Sequence, residues 1–364
     1  MDYRDRLQQD AAQKLMEFKR LACMWATGTG KSNIVLKFLQ VTGPIHTLIV
    51  VPETNNIQNW YAEFEKFNIP TFGVEVICYA SLHKYQDTTW DLLVIDEAPH
   101  ADTDLKSEYL STITAQYVLA LGAVITDEEM LTLRSVFGKF FVSRISLQQA
   151  IKWGLLPPPE VHILHMQLDN TQPQFVYQGR TLTEKAMYDV LHKEVKDAYA
   201  AYNAQAVEWR KNKMNQAGIK RKRFLGERKA VAMKRVCSAL ERKNIRFLCF
   251  CTSIEQAESL GGDKAFTSKT PKASMVLDKF NNHEINSLYV VGKLIEGQNL
   301  NDIHCGVIGQ LGNSNRVTVQ EIGRVLRSKK PVVYVPVFDD TKDDNFLFTI
   351  TNNIPKEYIK HHNF

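Results

Sequence analysis

The chain has 364 residues, of which 44% are hydrophobic and 23% charged, with a net charge of +5; these values describe a water-soluble globular protein with room for about two domains. No stretch approaches the ~18 apolar residues of a membrane span, and the opening MDYRDRLQQD is too charged for a secretory signal, so a cytoplasmic protein is expected, in the nucleoid or in a host cell. The six cysteines sit in apolar runs without CxxC spacing, which predicts reduced core thiols and argues against zinc.

In chain order, residues 4–18 place Leu7, Ala11, Leu15 and Phe18 on one helical stripe. Gln8 and Gln9 precede the following loop at a distance where a side-chain amide could pair with an adenine edge, a solvated glutamine being the alternative. After the apolar run Leu21 to Met24 comes Trp25-Ala26-Thr27-Gly28-Thr29-Gly30-Lys31-Ser32, then a helical pattern from Asn33 to Leu39. A glycine-rich turn between strand and helix presents backbone N–H groups to a phosphate chain. Lys31 then supplies a point charge on the terminal phosphates, and the Ser32 hydroxyl a ligand for magnesium. Trp25 stands where the general phosphate-loop pattern has glycine, so the match is to the shorter ATGTGKS form.

Thr47 to Val51 reads as a buried strand stopped by Pro52, followed by a helix carrying Asn59, Trp60, Phe64 and Phe67; Val74 to Tyr79 is a further strand. Asp91 to Ile95 is a continuous apolar run ending in Asp96-Glu97. Two carboxylates at the C-terminal end of a parallel strand suit a nucleotide hydrolase: Asp96 to hold magnesium and Glu97 to take a proton from the attacking water. Val118 to Ala123 is the next strand, and Pro157-Pro158-Pro159 closes the first unit.

From Thr183 to Met214 the pattern is helical; a turn is predicted at Asn215 to Gly218, then the basic run Lys220 to Arg223 and a helix from Glu227 to Lys243. Arg246 to Cys251 opens a second series of strands, continued by residues 286–291 and 305–308 and ended by Val332 to Val335. One phosphate loop and two α/β units imply a nucleotide in the cleft between them. The second unit must then supply Gln320, Arg324 and Arg327 from QEIGRVLR, whose arginines share one helix side. The expected fold class is α/β, with two tandem RecA-like domains joined by a helical insertion. The expected boundaries are 1–163, 164–243 and 244–340, with a tail over 341–364.

Together these residues resemble the superfamily 2 helicases and translocases, closest to the branch with the motor subunits of type I and type III restriction enzymes and DNA-repair motors. The resemblance runs from Gln8 to Arg327. It implies ATP and Mg2+ as cofactors, held by Gln8, Thr27, Gly28, Thr29, Gly30, Lys31, Ser32, Asp96 and Gly297. It also implies nucleic-acid contacts from Pro52, Asn59, Trp60, Tyr79, Thr252, Ser253 and Lys293, and hydrolysis assisted by Gln320, Arg324 and Arg327. The implied partner is DNA, single-stranded or branched, with RNA as the alternative. A nuclease or replication or repair factor is a further possible partner, and the chain is expected to act as a monomer without membrane contact.

The sequence departs from the family pattern at two places. Pro99 stands where the Asp-Glu-Ala-His motif has its histidine, and Gly122-Ala123-Val124 where the third motif carries hydroxyls. An ATPase that moves on nucleic acid but unwinds it weakly is therefore expected. A switch module that binds ATP and nucleic acid without sustained turnover is the competing class.

Overall fold

The structure is a computed structural model that describes residues 2–101, 104–270, 273–291, 300, 302–309, 322–323, 325 and 328–364. Its first half follows the alternation read from the sequence: α1 (Tyr3–Phe18), β1 (Arg20–Trp25), α2 (Asn33–Thr42), β2 (Thr47–Val51), α3 (Thr54–Lys66), β3 (Val74–Cys78), β4 (Thr89–Ile95), α4 (Asp104–Ser111), β5 (Thr114–Gly122), α5 (Asp127–Phe137), β6 (Phe141–Ile145) and α6 (Leu147–Lys152). The six strands form one sheet in the order β3-β2-β4-β5-β1-β6, and every neighbouring pair is parallel. Strands covered on both faces must be apolar throughout, and all five residues of β2 are buried. Capping boxes start two of the helices: Thr126 with Glu129 opens α5, and Ser146 with Gln149 opens α6.

The second sheet has seven strands in the order β11-β12-β10-β13-β14-β7-β15. These are β7 (Glu160–Met166), β10 (Phe247–Cys251), β11 (Ala265–Phe266), β12 (Ser287–Val291), β13 (Cys305–Ile308), β14 (Val332–Phe338) and β15 (Ile359–Asn363), again parallel throughout. Two packed parallel sheets in tandem make this a pair of RecA-like α/β domains. Between β7 and β10 lie a small antiparallel hairpin, β8 (Phe175–Tyr177) with β9 (Arg180–Leu182), and the helices α7 (Glu184–Ala204), α8 (Glu208–Arg228) and α9 (Ala230–Arg242).

Three expectations change. The boundary expected at 163 falls inside β7, which pairs with β14 along its whole length, so the chain crosses to the second sheet directly after the prolines. The expected tail contains a helix, α12 (Asp344–Asn353), and the edge strand β15, which pairs with β7 from Val161 to His165; β14 therefore does not end the sheet. The turn expected at Asn215 to Gly218 lies inside α8, and the chain instead breaks at Gln205, whose backbone is extended (φ −155°, ψ 105°). A Cβ on Gly218 would meet nothing within 4 Å, so that glycine costs the helix only about 0.5–1 kcal/mol relative to alanine.

The insertion is fastened by a buried ion pair. Lys229, between α8 and α9, places Nζ 2.8 Å from Asp343 Oδ2, with the two side chains 2% and 1% exposed. Asp343 also accepts the Phe338 N–H at 3.0 Å. Lys229→Ala would strand a buried carboxylate and is expected to cost about 3–5 kcal/mol in urea denaturation. Lys264→Ala, which breaks the exposed pair with Glu241, should cost less than about 1 kcal/mol in the same measurement.

Candidate nucleotide site

Because β1, β4 and β5 run parallel and side by side, with β5 between the other two, the residues following β1 and β4 emerge at the same sheet edge. The loop after β1 turns through Gly28 and Gly30 in the left-handed region (φ 87° and 83°). Both conformations suit glycine, and at Gly30 a Cβ would lie 2.5 Å from Gln8 Nε2. Ser32 stands at the cap position of α2, where unpaired N–H groups and the helix dipole favour an anion. Gln8, 2% exposed, donates from Nε2 to the Gly30 carbonyl at 3.0 Å. Its amide thus braces the loop from behind.

Polar side chains of the loop turn back on its own backbone, and one hydroxyl is left without a partner. Lys31 Nζ donates to the Trp25 carbonyl at 3.0 Å, and Thr29 Oγ1 to the Ala26 carbonyl at 2.7 Å. The buried Thr27 Oγ1 has no hydrogen-bond partner. A buried orphan hydroxyl, two left-handed glycines, a helix N-terminus and a lysine fit a phosphate chain.

Across from the loop, Asp96 ends the β4 run. Its Oδ1 accepts the Glu97 N–H at 3.0 Å, and its Oδ2 accepts the Trp60 indole N–H at 3.0 Å. The Asp96 carbonyl accepts the Tyr79 hydroxyl at 2.9 Å. Glu97 takes a left-handed φ of 46°, a strained conformation for a non-glycine residue. Desolvation and the neighbouring Glu97 charge push Asp96 up to about 6, against opposing pulls from the Trp60 hydrogen bond and the Lys31 ammonium. The Lys31 ammonium therefore favours the charged form of Asp96.

The second domain reaches this edge. Ile322 and Val325 are fully buried, and a Cβ on Gly323 would lie 2.9 Å from Thr27 Cβ. Only glycine lets this segment approach the phosphate loop so closely. Gln320, Arg324 and Arg327 flank these residues but, with Lys293 and Gly297, lie outside the described residues.

Of the residues expected at nucleic acid, Pro52 and Asn59 are half-buried, whereas Trp60 and Tyr79 are each 4% exposed and turn inward to Asp96. Ser253 caps the helix α10 (Ile254–Gly261) by accepting the Gln256 N–H at 3.2 Å. The Thr252 side chain packs against the backbone of Gly226, with its Oγ1 buried and unpartnered. The bonds from Trp60 and Tyr79 to Asp96 were not foreseen; an aromatic on an amphipathic helix gives no sign of which polar atom its N–H will meet. The two departures from the family pattern touch each other. A Cβ on Gly122 would lie 3.3 Å from Pro99 Cδ and 3.2 Å from Ile125 Cγ1.

No protein-family model and no curated protein matches the sequence. Solved structures do share the fold. The helicase domain of Hef from Pyrococcus furiosus aligns over 95% of this chain and 97% of its own, with a TM-score of 0.54 and 14% identity. A fragment described as an HsdR subunit of a type I restriction enzyme from Vibrio vulnificus aligns over 98% of this chain and 67% of its own, with a TM-score of 0.61 and 18% identity. The ATP-dependent type ISP restriction-modification enzyme LlaBIII, solved bound to DNA, aligns over all of this chain and 31% of its own length, with a TM-score of 0.58 and 13% identity.

Glu97→Gln keeps the side-chain length and removes the charge that opposes Asp96. Thermal denaturation of the nucleotide-free variant is expected to rise by about 1–4 °C, the equivalent of roughly 0.5–1 kcal/mol. Stability gained on removal of the Glu97 charge would mark this pair as held for something other than stability.

Proposed function

We propose that this chain is an ATP-dependent nucleic-acid motor, a DNA translocase with weak strand separation. The observation that carries the proposal is the convergence at one sheet edge of the phosphate loop, the Asp96-Glu97 pair and the Gly323 segment of the other domain. In this reading the N–H groups of Gly28 to Ser32 hold the phosphates, Lys31 offsets their charge, and Ser32 with Asp96 holds magnesium. Magnesium, when bound, neutralises charge on the phosphates and polarises the transferred group. Glu97 orients the attacking water and takes its proton, and the stabilisation of charge on the transferred group is assigned to Arg324, Arg327 and Gln320 of the second domain. Gln8 positions the loop, and Gly297 of the second domain is assigned to the nucleotide.

Nucleic acid runs over both domains in this reading, touched by Pro52, Asn59, Ser253 and Lys293. Support for DNA comes from LlaBIII, solved bound to DNA. The contact between Pro99 and Gly122 supports weak or differently coupled unwinding. Two polar partners are replaced there by a proline ring and a bare backbone, so the joint has no side-chain hydrogen bond to exchange as the domains move.

ATP hydrolysis measured with single-stranded, duplex, forked and RNA ligands is expected to be stimulated by DNA and lost at least ~10²-fold in Lys31→Ala. Because backbone contacts dominate such binding, DNA affinity should fall steeply with salt. Wild-type protein that binds ATP and DNA without stimulated turnover would favour the switch module, and strong stimulation by RNA alone would exclude the DNA reading.

A further inference from the structure

We infer that Trp60 and Tyr79 are positioning residues for the metal ligand Asp96, and that they tie the helix α3 to the geometry of the nucleotide site. This inference rests on the ATPase reading above and deepens it. A carboxylate has about four lone-pair directions. In Asp96 one on Oδ1 is used by the Glu97 N–H and one on Oδ2 by the Trp60 indole, each at 3.0 Å. One direction on each oxygen is left for a hydrated cation. With one donor on each oxygen, the carboxylate is restrained against rotation.

Both donors are neutral. A lysine or arginine in the place of Trp60 would orient Asp96 as well, but would compete with the cation for its charge. An indole N–H orients without adding a positive charge. The nearby ammonium, Lys31, instead directs Nζ to the Trp25 carbonyl. Tyr79 acts one bond further back. Its hydroxyl donates to the Asp96 carbonyl at 2.9 Å and lies 3.5 Å from that of Glu97, so it braces the peptide units on which Glu97 is held at a left-handed φ. A phenol is protonated at neutral pH, so the hydroxyl is available as the donor.

The two residues come from different elements, and both elements lead outward. Trp60 lies on α3, whose first turn follows Pro52, while Tyr79 begins the 3-10 turn Tyr79–Lys84 that follows β3. Trp60 is anchored inside by Phe64, with ring centroids 6.2 Å apart. A shift of α3 therefore moves the indole against Asp96. Nucleic acid drawn against Pro52 and Asn59 would thus adjust how Asp96 presents itself to magnesium, without touching the nucleotide.

Trp60→Phe removes the N–H and keeps an aromatic ring; Tyr79→Phe removes only the hydroxyl. Two readouts are taken on the full chain: magnesium dependence of binding of a fluorescent ADP analogue, and magnesium dependence of ATP hydrolysis with DNA present. Trp60→Phe is expected to raise the magnesium needed for half-maximal effect by about tenfold or more in both, as loss of partners behind metal ligands generally does. Binding of the ADP analogue in EDTA should stay within about twofold of wild type. Tyr79→Phe should shift the magnesium requirement in the same direction, and by less; it also keeps the test decisive if Trp60→Phe fails to fold. Unchanged magnesium titrations in folded variants would overturn the inference, as would a loss of DNA affinity with no change in magnesium requirement. A wild-type chain that binds the ADP analogue in a magnesium-dependent way but never hydrolyses ATP would sink the motor reading and leave the positioning role to be read from the binding titration.

Discussion

Everything at the candidate site depends on one constraint: all strands of each sheet run the same way. A parallel sheet gathers the C-terminal ends of its strands, and the N-termini of the helices that follow, along a single edge. That arrangement creates an electropositive rim able to hold phosphate, and it forces Asp96 and Glu97 to face the same rim from two strands away. The carboxylates sit where they are costly. Asp96 is raised to about 6 by desolvation and by its neighbour, and Glu97 bends into a left-handed φ. A fold gains nothing for its own stability from such a pair, which is why the cost itself points to chemistry.

The periodic features were legible because they are local. Apolar runs bounded by turn residues located β1, β2, β4 and β5, and the glycine spacing located the left-handed turn at Gly28 and Gly30, since that backbone conformation is open to few residues. Partnership between distant strands was not legible. Nothing in the run Glu160 to Met166 says that β14 lies on one side of it and β15 on the other. The edge strand β15 carries no apolar alternation at all. It is held partly by histidines: His362 Nε2 lies 2.8 Å from His162 Nδ1, and His361 Nδ1 lies 2.8 Å from His165 Nε2. In sequence these four residues read as packing and a solvated tail. Cross-strand register made them partners.

The same limit explains the inward turn of Trp60 and Tyr79. A helix pattern reports which side of α3 faces the sheet, and Trp60 with Phe64 mark that side. It does not report that the indole nitrogen will end within hydrogen-bond distance of a carboxylate 36 residues later. Burial and function are usually opposed when aromatics are read from sequence, yet here the buried aromatic is the one with a polar target. Residues argued to grip nucleic acid and residues argued to hold the metal ligand are therefore neighbours on one element. Physical continuity of that sort is what lets one binding event bias another.

The joint between Pro99 and Gly122 bears on how far such bias can travel. Each position alone looks like a lapse from a familiar pattern. In the folded chain they are in contact, with a 3.3 Å gap between the proline ring and the place a side chain at 122 would begin. A histidine and a hydroxyl could exchange hydrogen bonds between two domain arrangements, giving each a defined energy. A ring against a glycine backbone offers close packing and no such alternatives. Meanwhile the neighbouring elements keep their polar contacts, with Tyr79 on the Asp96 carbonyl and Trp60 on its carboxylate. In the motor reading proposed above, loss of polar exchange at one joint and its retention at the next would route coupling to nucleic acid through α3 and the Tyr79 turn, a route suited to moving along a strand more than to prising strands apart.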